Sequence, residues 1–218
     1  MFACLYAPAL PAASAALLVN CACGFSPRVE ETDPQTVTLD IAGLDRLLGP
    51  PLSIANAIAR RLDKLDITNI HFAIASNPDA ALHAARGLPG ITLIPPGEEA
   101  RVLAGLPLSL LSAPPDLAET LRVWGLRTFG DLAALPEAGL AERLGSEGLR
   151  LQQLARGSFQ RPLVPSIPPD TFGASLELDH PVAQLEPLLF LLARLLEDLL
   201  TQLHSHGLAA NEIRLRLQ

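Results

Sequence analysis

The sequence contains very little lysine. Among its 218 residues Lys64 is the single lysine, so arginine supplies nearly all of the 16 basic residues, against 23 acidic ones. The resulting net charge of −7 gives the chain no long-range electrostatic attraction to nucleic acid. No run of basic residues offsets this balance locally. The composition therefore weighs against a protein that binds duplex DNA strongly on its own.

Cysteine is also scarce, and its spacing excludes the common zinc sites. The three cysteines are Cys4, Cys21 and Cys23. A lone Cys-x-Cys pair lacks the second pair that would complete a tetrahedral zinc site. We expect all three to be buried thiols of a protein in a reducing compartment.

Long hydrophobic runs are absent. Residues 1–18 are apolar, but they lack a basic n-region and contain Pro8 and Pro11, unlike a signal peptide. The leucine-rich segment 188–200 is too short for a membrane span and is interrupted by Arg194, Glu197 and Asp198. The sequence therefore predicts a cytoplasmic protein that does not contact a membrane.

Catalytic and phosphate-binding motifs are missing as well. The sequence contains no G-x-S-x-G motif, no P-loop and no evident Ser-His-Asp pattern. His204 and His206 are expected to form a solvated cap at the end of a helix, where cations are favourable. Trp124 is expected to pack in a core or between domains, and a role in base stacking stays open.

Strand-like and helix-like segments alternate over the first hundred residues. This alternation predicts an α+β or α/β sheet with helices on one face. The predicted strands are residues 2–6, 36–41, 69–75 and 91–94. The predicted helices are residues 11–23, 80–86 and 53–65, the last with Ser53 as its N-cap. After a Pro-rich linker at 161–170, strand-like residues 173–178 and 212–217 flank a long helix at 182–205.

Short helices joined by glycine turns follow between residues 125 and 157. Gly125 suits a left-handed helix C-cap, and a short helix is predicted at 128–135. A turn at 145–148 then separates residues 140–144 from a helix at 149–156. This pattern is typical of helix-hairpin-helix units, which hold a phosphate with hairpin amides and a helix N-terminus.

With these segments the chain resembles the Y-family (translesion) DNA polymerases, and in particular their catalytically inactive bacterial relatives, the ImuB-like mutasome subunits. The resemblance covers almost the whole chain and is strongest over residues 125–157 and 29–49. It implies an α+β fold with a palm-like mixed sheet, a small all-helical thumb and a partial α/β little finger. The implied domains are a palm-like domain without fingers, a helix-hairpin-helix thumb, a Pro-rich linker and a partial little finger, at residues 1–106, 107–160, 161–172 and 173–218.

The positions that carry catalysis in the family are degenerate here. Polymerases of this family hold two magnesium ions with carboxylates. By the resemblance, these carboxylate positions fall on Ala7, Gln35 and Thr36, and a phosphate-binding lysine falls near Pro78. We therefore expect no metal site, no cofactor and no polymerase activity. The remaining acidic residues, Asp33 and Asp40, are expected to be a turn residue and an ordinary strand residue.

The thumb hairpins are eroded too. The family's first hairpin carries Gly-x-Gly, which lets the backbone approach a phosphate, whereas this chain has Ser112, Ala113 and Pro114. The second hairpin keeps its glycines. Its candidate contacts to a DNA backbone are Gly145, Ser146 and Gly148, although the carboxylate of Glu147 would repel the same phosphate.

The resemblance implies an accessory role in DNA repair, translesion synthesis and the SOS response to DNA damage. The implied partners are primer-template DNA, bound weakly, an error-prone replicative-type polymerase, a recombinase-like mutasome protein and the sliding clamp. The leucine-rich residues 185–203 suggest self-association. Two alternatives stay open: an active low-fidelity polymerase, in which Glu30, Asp33 and Asp40 converge on a metal, and a truncated gene product without a function of its own.

Overall fold

The chain folds into two compact units, which are described separately. The computed structural model describes residues 1–166, 173–178, 185–205, 210 and 213–215. One unit comprises Met1–Ser166 and the other comprises Ile167–Gln218. Within the described residues, no helix is both long and apolar enough to cross a bilayer.

The first unit combines a five-stranded sheet with short and medium-length helices. Its strands are β1 (Phe2–Tyr6), β2 (Val29–Asp33), β3 (Thr36–Asp40), β4 (His71–Ala75) and β5 (Ile91–Leu93). Its α-helices are α1 (Ala15–Cys23), α2 (Asp45–Leu48), α3 (Pro51–Asp63), α4 (Pro78–Gly87), α5 (Glu99–Leu103), α6 (Pro115–Val123), α7 (Phe129–Ala133) and α8 (Glu137–Ala155). Short 3₁₀ turns at Ala12–Ser14 and Leu108–Leu111 precede α1 and α6.

The sheet is mixed and has the strand order β2-β3-β1-β4-β5. β1 lies in the centre and pairs antiparallel with both β3 and β4, while β4 and β5 run parallel. The four predicted strands are confirmed to within a few residues at their ends. The architecture is the mixed α+β fold that the sequence predicted.

Helices cover both faces of the sheet, and the prediction of helices on one face was wrong. Alternate residues of β1 point to opposite sides, so Ala3 and Leu5 join a core with α1 and α3, whereas Cys4 joins a core with α4. The helix α4 had been predicted, but its packing side is not readable from sequence because nearly all of its residues are buried.

One of two predicted helix boundaries has a different cause from the one predicted, and the other is confirmed. The helix α3 begins at Pro51 rather than at Ser53, and Pro50 is its N-cap without a side-chain hydrogen bond. Proline suits the first helical position because that residue's amide would have no intrahelical acceptor anyway. The helix α6 ends at Val123, and Gly125 has φ of +78°, which confirms the left-handed C-cap.

The strand β2 was not predicted, and distant residues complete its outer edge. Its sequence VEETD has little intrinsic preference for strands. The amide of Ser166 donates to the carbonyl of Val29 at 2.7 Å, and the amide of Glu31 donates to Ser166 Oγ at 2.9 Å. The predicted linker therefore begins as a segment that runs along β2 and covers an otherwise open sheet edge; its residues 167–170 lie outside the described residues.

The palm-like and thumb-like segments share one hydrophobic core. Side chains from β4 and α4 pack with those of the later helices, and the shared core includes Leu103, Phe129, Leu132 and Leu151. The bond from Asn77 Nδ2 to the carbonyl of Gly157, at 2.7 Å, links the start of α4 to the end of α8. The boundary drawn from sequence at residue 106 thus falls inside a continuous core.

The second unit contains the helix α9 (Leu185–Ser205). The predicted helix is confirmed over these residues, and residues 182–184 lie outside the described part. Residues 173–178 do not form a strand, so that prediction was wrong. Residues 213–215 are not in a strand either, while residues 212, 216 and 217 of that second predicted strand lie outside the description.

Candidate functional site

The three positions predicted to be degenerate meet at one place in the structure. The end of β1 lies beside the turn between β2 and β3, where the amide of Ala7 donates to the carbonyl of Gln35 at 2.9 Å. Thr36 is the cross-strand partner of Tyr6, one residue before Ala7. The chain therefore brings Ala7, Gln35 and Thr36 together at the tip of the sheet.

The side chains at this point make structural hydrogen bonds. Gln35 Nε2 donates to the carbonyls of Pro8 and Leu10 at 3.1 and 3.0 Å, so its amide holds the segment after β1. Thr36 is fully buried, and its hydroxyl oxygen accepts from the guanidinium of Arg86. Ala7 is buried and contributes only a methyl group.

Each nearby carboxylate is paired with a different arginine. Asp33 pairs with Arg86, Asp40 pairs with Arg28 at 2.9 Å, and Glu30 pairs with Arg161 at 2.8 Å. Asp33 Oδ1 also accepts from the amide of Gln35 at 2.8 Å, which confirms its turn role.

These carboxylates also lie far apart along the hairpin. Asp33 faces Thr36, whereas Asp40 faces Phe2 at the other end of β3. Four residues of strand separate the two positions by roughly 13 Å. Among the residues that the structure describes, no group of three or more His, Cys, Asp and Glu side chains is arranged to hold a metal ion.

The cysteines provide no thiolate at this site. Cys4 lies in the centre of β1, and burial raises the pKa of its thiol to about 12, although Thr38 and Arg86 oppose this shift. A protonated thiol is a poor metal ligand. Cys21 is buried as predicted, but Cys23 is exposed, because it lies on the outer side of the last turn of α1.

The residues around Pro78, the predicted position of the family's phosphate-binding lysine, have a structural role. Asn77 caps α4 by accepting from the amide of Ala80 at 2.8 Å, while its Nδ2 donates to Gly157. Pro78 is the first residue of α4 and is buried. It offers neither a cation nor an amide donor to a phosphate.

The first thumb hairpin is built without glycine. Ser112 has φ of +49°, a left-handed conformation that residues other than glycine rarely adopt. Pro114 and Pro115 then begin α6, and Asp116 adds a carboxylate in its first turn. The two prolines remove amide donors, and Asp116 gives the helix start a negative charge.

The second hairpin is tighter than the four-residue turn that was predicted. Only Gly145 leaves the helical conformation, with φ of +63°, so α8 is kinked there and resumes directly at Ser146. Ser146 is exposed, whereas Gly148 is buried, and a Cβ on Gly148 would lie 2.5 Å from Cβ of Leu144. Gly148 therefore allows the two halves of α8 to pack closely.

Glu147 is held by an arginine in the same hairpin. Arg150 Nη2 and Nε approach the carboxylate of Glu147 at 2.6 to 3.0 Å, and these hydrogen bonds lower the pKa of Glu147. The phosphate-contact role of Gly145, Ser146 and Gly148 stays a prediction. The pairing leaves Arg150 less available to a phosphate than a free arginine would be.

Trp124 lies at the surface of the helical part and not in a core, while packing between domains and base stacking stay predictions. About a third of its surface is exposed, and the guanidinium of Arg143 lies 5.8 Å from the ring centroid. The arrangement is that of a cation–π pair.

The helix cap predicted at His204 and His206 lies at the end of α9. His206 and the side chain of His204 are outside the described residues.

Comparison with known proteins identifies relatives over most of the chain. It is 30% identical over 204 residues to Protein ImuB of Caulobacter vibrioides, a match that covers 93% of this chain and 44% of that protein. It is 34% identical over 142 residues to DNA polymerase IV of Dehalococcoides mccartyi, and this match covers 64% of this chain and 36% of that protein. The chain thus spans about half the length, or less, of these relatives. No protein-family profile matches it.

Solved structures show the same fold. The Dbh ternary complex superposes with a TM-score of 0.55 at 21% identity, covering 88% of this chain and 58% of that one. DinB from Sulfolobus solfataricus gives a TM-score of 0.54 at 22% identity, and the superposition covers 69% of this chain and 46% of that one. Together with the sequence relatives named ImuB and DNA polymerase IV, this shared fold shows that the chain resembles the Y-family DNA polymerases.

Proposed function

We propose that this chain is a non-catalytic member of the Y-family superfamily, which serves translesion synthesis and DNA repair as an accessory subunit in the cytoplasm. The observation that supports this proposal is that Ala7, Gln35 and Thr36 meet at the tip of the sheet. Two-metal catalysis requires carboxylates that converge on both ions. At this tip the side chains are a methyl group, an amide bonded to two carbonyls and a hydroxyl bonded to Arg86.

The alternative of an active polymerase with unusual ligands has less support. That reading requires Glu30, Asp33 and Asp40 to converge, whereas each of them pairs with its own arginine. Asp33 and Asp40 lie near opposite ends of β3. A metal at one of them would have to displace a guanidinium and would gain few further oxygen ligands there.

The first prediction is that the protein does not extend a primer. We expect no incorporation with Mg²⁺ or Mn²⁺ in a gel-based primer-extension assay, because the described residues contain no ligand set that could bridge the two ions. A DNA polymerase IV preparation serves as the positive control. Template-dependent extension that is lost on Asp33→Ala or Asp40→Ala would contradict the proposal and support the active alternative.

The second prediction concerns DNA affinity. We expect a dissociation constant for labelled primer-template weaker than about 1 µM at physiological salt, the limit of typical non-specific binding. The reasons are the net charge of −7, the two prolines of the first hairpin and Glu147 in the second.

Fluorescence anisotropy across a salt series measures this affinity. The Glu147→Gln variant removes a carboxylate and frees Arg150, and we expect it to bind DNA severalfold more tightly. Glu119→Gln, which changes an exposed pair with Arg122 outside the hairpins, is the matched control. Binding by the unmodified chain that is tighter than micromolar would contradict the predicted weak affinity, and equal effects of both variants would contradict the phosphate site at Gly145, Ser146 and Gly148.

We also propose that the accessory role involves protein partners. The resemblance suggests an error-prone replicative-type polymerase, a recombinase-like mutasome protein and the sliding clamp. A pull-down with each purified candidate tests this, and retention of none of the three would leave self-association as the remaining proposal for this chain.

The third prediction is self-association through residues 185–203. In α9 the side chains of Leu185, Leu189 and Phe190 are 67%, 54% and 73% exposed. Burial of one such side chain is worth about 2 kcal/mol, so a second copy would be stabilised on this face. Light scattering should give a mass above 23.1 kDa, and Phe190→Glu should restore the monomer while the control Glu186→Gln does not. A monomer before any substitution would contradict this role of α9.

A further inference from the structure

Arg86 contacts Thr36, one of the three positions where the resemblance places the family's metal-binding carboxylates. It extends from the last turn of α4 to the turn between β2 and β3, and its guanidinium pairs with Asp33. The same guanidinium donates to Thr36 Oγ1 from Nε at 3.4 Å and from Nη2 at 3.3 Å. Only 20% of the Arg86 side chain is exposed.

The residues around this guanidinium do not fit a divalent metal. Magnesium requires several oxygen ligands in octahedral geometry. Here Ala7 has no ligand atom in its side chain, and the hydroxyl of Thr36 and the carboxylate of Asp33 both accept from Arg86. The thiol of Cys4, also on this side of the sheet, stays protonated because burial raises its pKa to about 12.

We propose that the Arg86 guanidinium is a permanent cation of this site, which neutralises Asp33, braces the β2–β3 turn and keeps divalent metal ions out. This inference rests on the proposed function, because it assumes a fold that no longer carries out metal-dependent polymerisation. A guanidinium stays charged at every relevant pH, and it repels a second cation at close range. Its planar donors also use the oxygen atoms that a metal would need.

A second ion pair on the same hairpin provides a comparison. Arg28 pairs with Asp40 near the other end of β3, but 55% of its side chain is exposed, and among the described residues its guanidinium bonds to Asp40 alone. Arg86 instead contacts both cross-strand partners, Asp33 and Thr36, across the β2–β3 pair. The two arginines thus differ in burial and in whether they lie at the degenerate site.

The first experiment measures the bracing role by thermal unfolding. We expect Arg86→Ala to lower Tm by about 3–6 °C, a shift that corresponds to the loss of one part-buried charged hydrogen-bond network in a chain of this size. Arg86→Lys should recover part of the loss, and the control Arg28→Ala should change Tm by less than about 2 °C. Equal shifts for Arg86→Ala and Arg28→Ala would overturn the bracing role.

The second experiment measures metal exclusion with Mn²⁺ alone, by electron paramagnetic resonance. Thr36→Glu places a second carboxylate beside Asp33, its cross-strand partner. We expect the Thr36→Glu/Arg86→Ala double variant to bind Mn²⁺ at least tenfold more tightly than Thr36→Glu. Equal affinities overturn the proposal, and if the double variant does not fold, the Tm comparison decides it. Primer extension by the unmodified chain would refute the proposed function instead, whatever the Mn²⁺ result.

Discussion

Replacing Arg161 with methionine is expected to lower the free energy of unfolding by about 3 kcal/mol, the lower end of the range for breaking a buried ion pair from one side, because the cluster is part-buried. Nε of Arg161 donates to both carboxylate oxygens of Asp79 at 3.0 Å, and its two terminal nitrogens donate to Glu30 at 2.8 Å. The side chains of Glu30 and Asp79 are only 12% and 11% exposed. Without Arg161, two buried carboxylates would face each other without a cation.

The pKa values of the two carboxyls show how the cluster depends on Arg161. Burial alone would raise the pKa of Glu30, but hydrogen bonds from Arg161 and from the amide of Val164 hold it below its ordinary value. Burial raises the pKa of Asp79, and Arg161 offsets only part of that shift. A lowered pKa such as that of Glu30 contributes stability above its unfolded value, and this contribution is lost as the pH falls.

Urea unfolding at pH 7 and pH 4 checks the prediction. In Arg161→Met both carboxyls should have raised pKa values, so their protonation at pH 4 should reduce the deficit relative to the unmodified chain. Arg28→Met, which breaks an exposed pair with Asp40, should cost at most about 1 kcal/mol. A deficit for Arg161→Met no larger than that control, or one unchanged at pH 4, would contradict the argument.

The sequence predicted the elements that rest on local patterns. The strands β1, β3 and β4 follow from short apolar or β-branched runs, and Gly125 follows from the need for a left-handed residue after α6. By contrast, β2 is acidic, and its edge is completed by Ser166, more than 130 residues later. Contacts over such distances leave no periodic signal in the sequence.

The candidate site was predictable only in part for the same reason. The resemblance to the family grouped Ala7, Gln35 and Thr36, and the fold brings them together at one point. The role of Arg86 could not be read in advance, because it comes from a helix 50 residues after Thr36 and its direction depends on how α4 packs on the sheet. An arginine in the last turn of a helix is ordinarily explained by the helix dipole alone.

A second large effect is expected from His83, whose side chain is buried between α4 and α7. It is 4% exposed, its ring meets Phe129 edge-on at 5.3 Å, and its Nδ1 has no hydrogen-bond partner in the described part of the chain. Burial, and to a smaller extent the charge of Arg86, lowers the pKa of His83 to about 4. The imidazole is therefore neutral in the folded state at every pH near neutrality.

This shift makes the stability of the fold depend on pH in a definite direction. The unfolded chain protonates His83 near its ordinary pKa of about 6.5, whereas the folded chain resists protonation until about pH 4. Stability from the neutral imidazole is therefore complete above pH 6.5 and is lost as the pH falls toward 4, by up to about 3 kcal/mol.

Urea unfolding of the unmodified chain and of His83→Met, each at pH 7 and pH 4.5, isolates this contribution, because all other titrating groups are common to both proteins. Methionine fills a similar volume without a charge, so we expect the unmodified chain to lose about 2–3 kcal/mol more than the variant between the two pH values. Below pH 5 the variant should therefore be the more stable of the two, although at pH 7 it gains nothing from the substitution. Parallel losses in both proteins would mean that His83 accepts a proton in the folded state without cost, and that the core between α4 and α7 admits water.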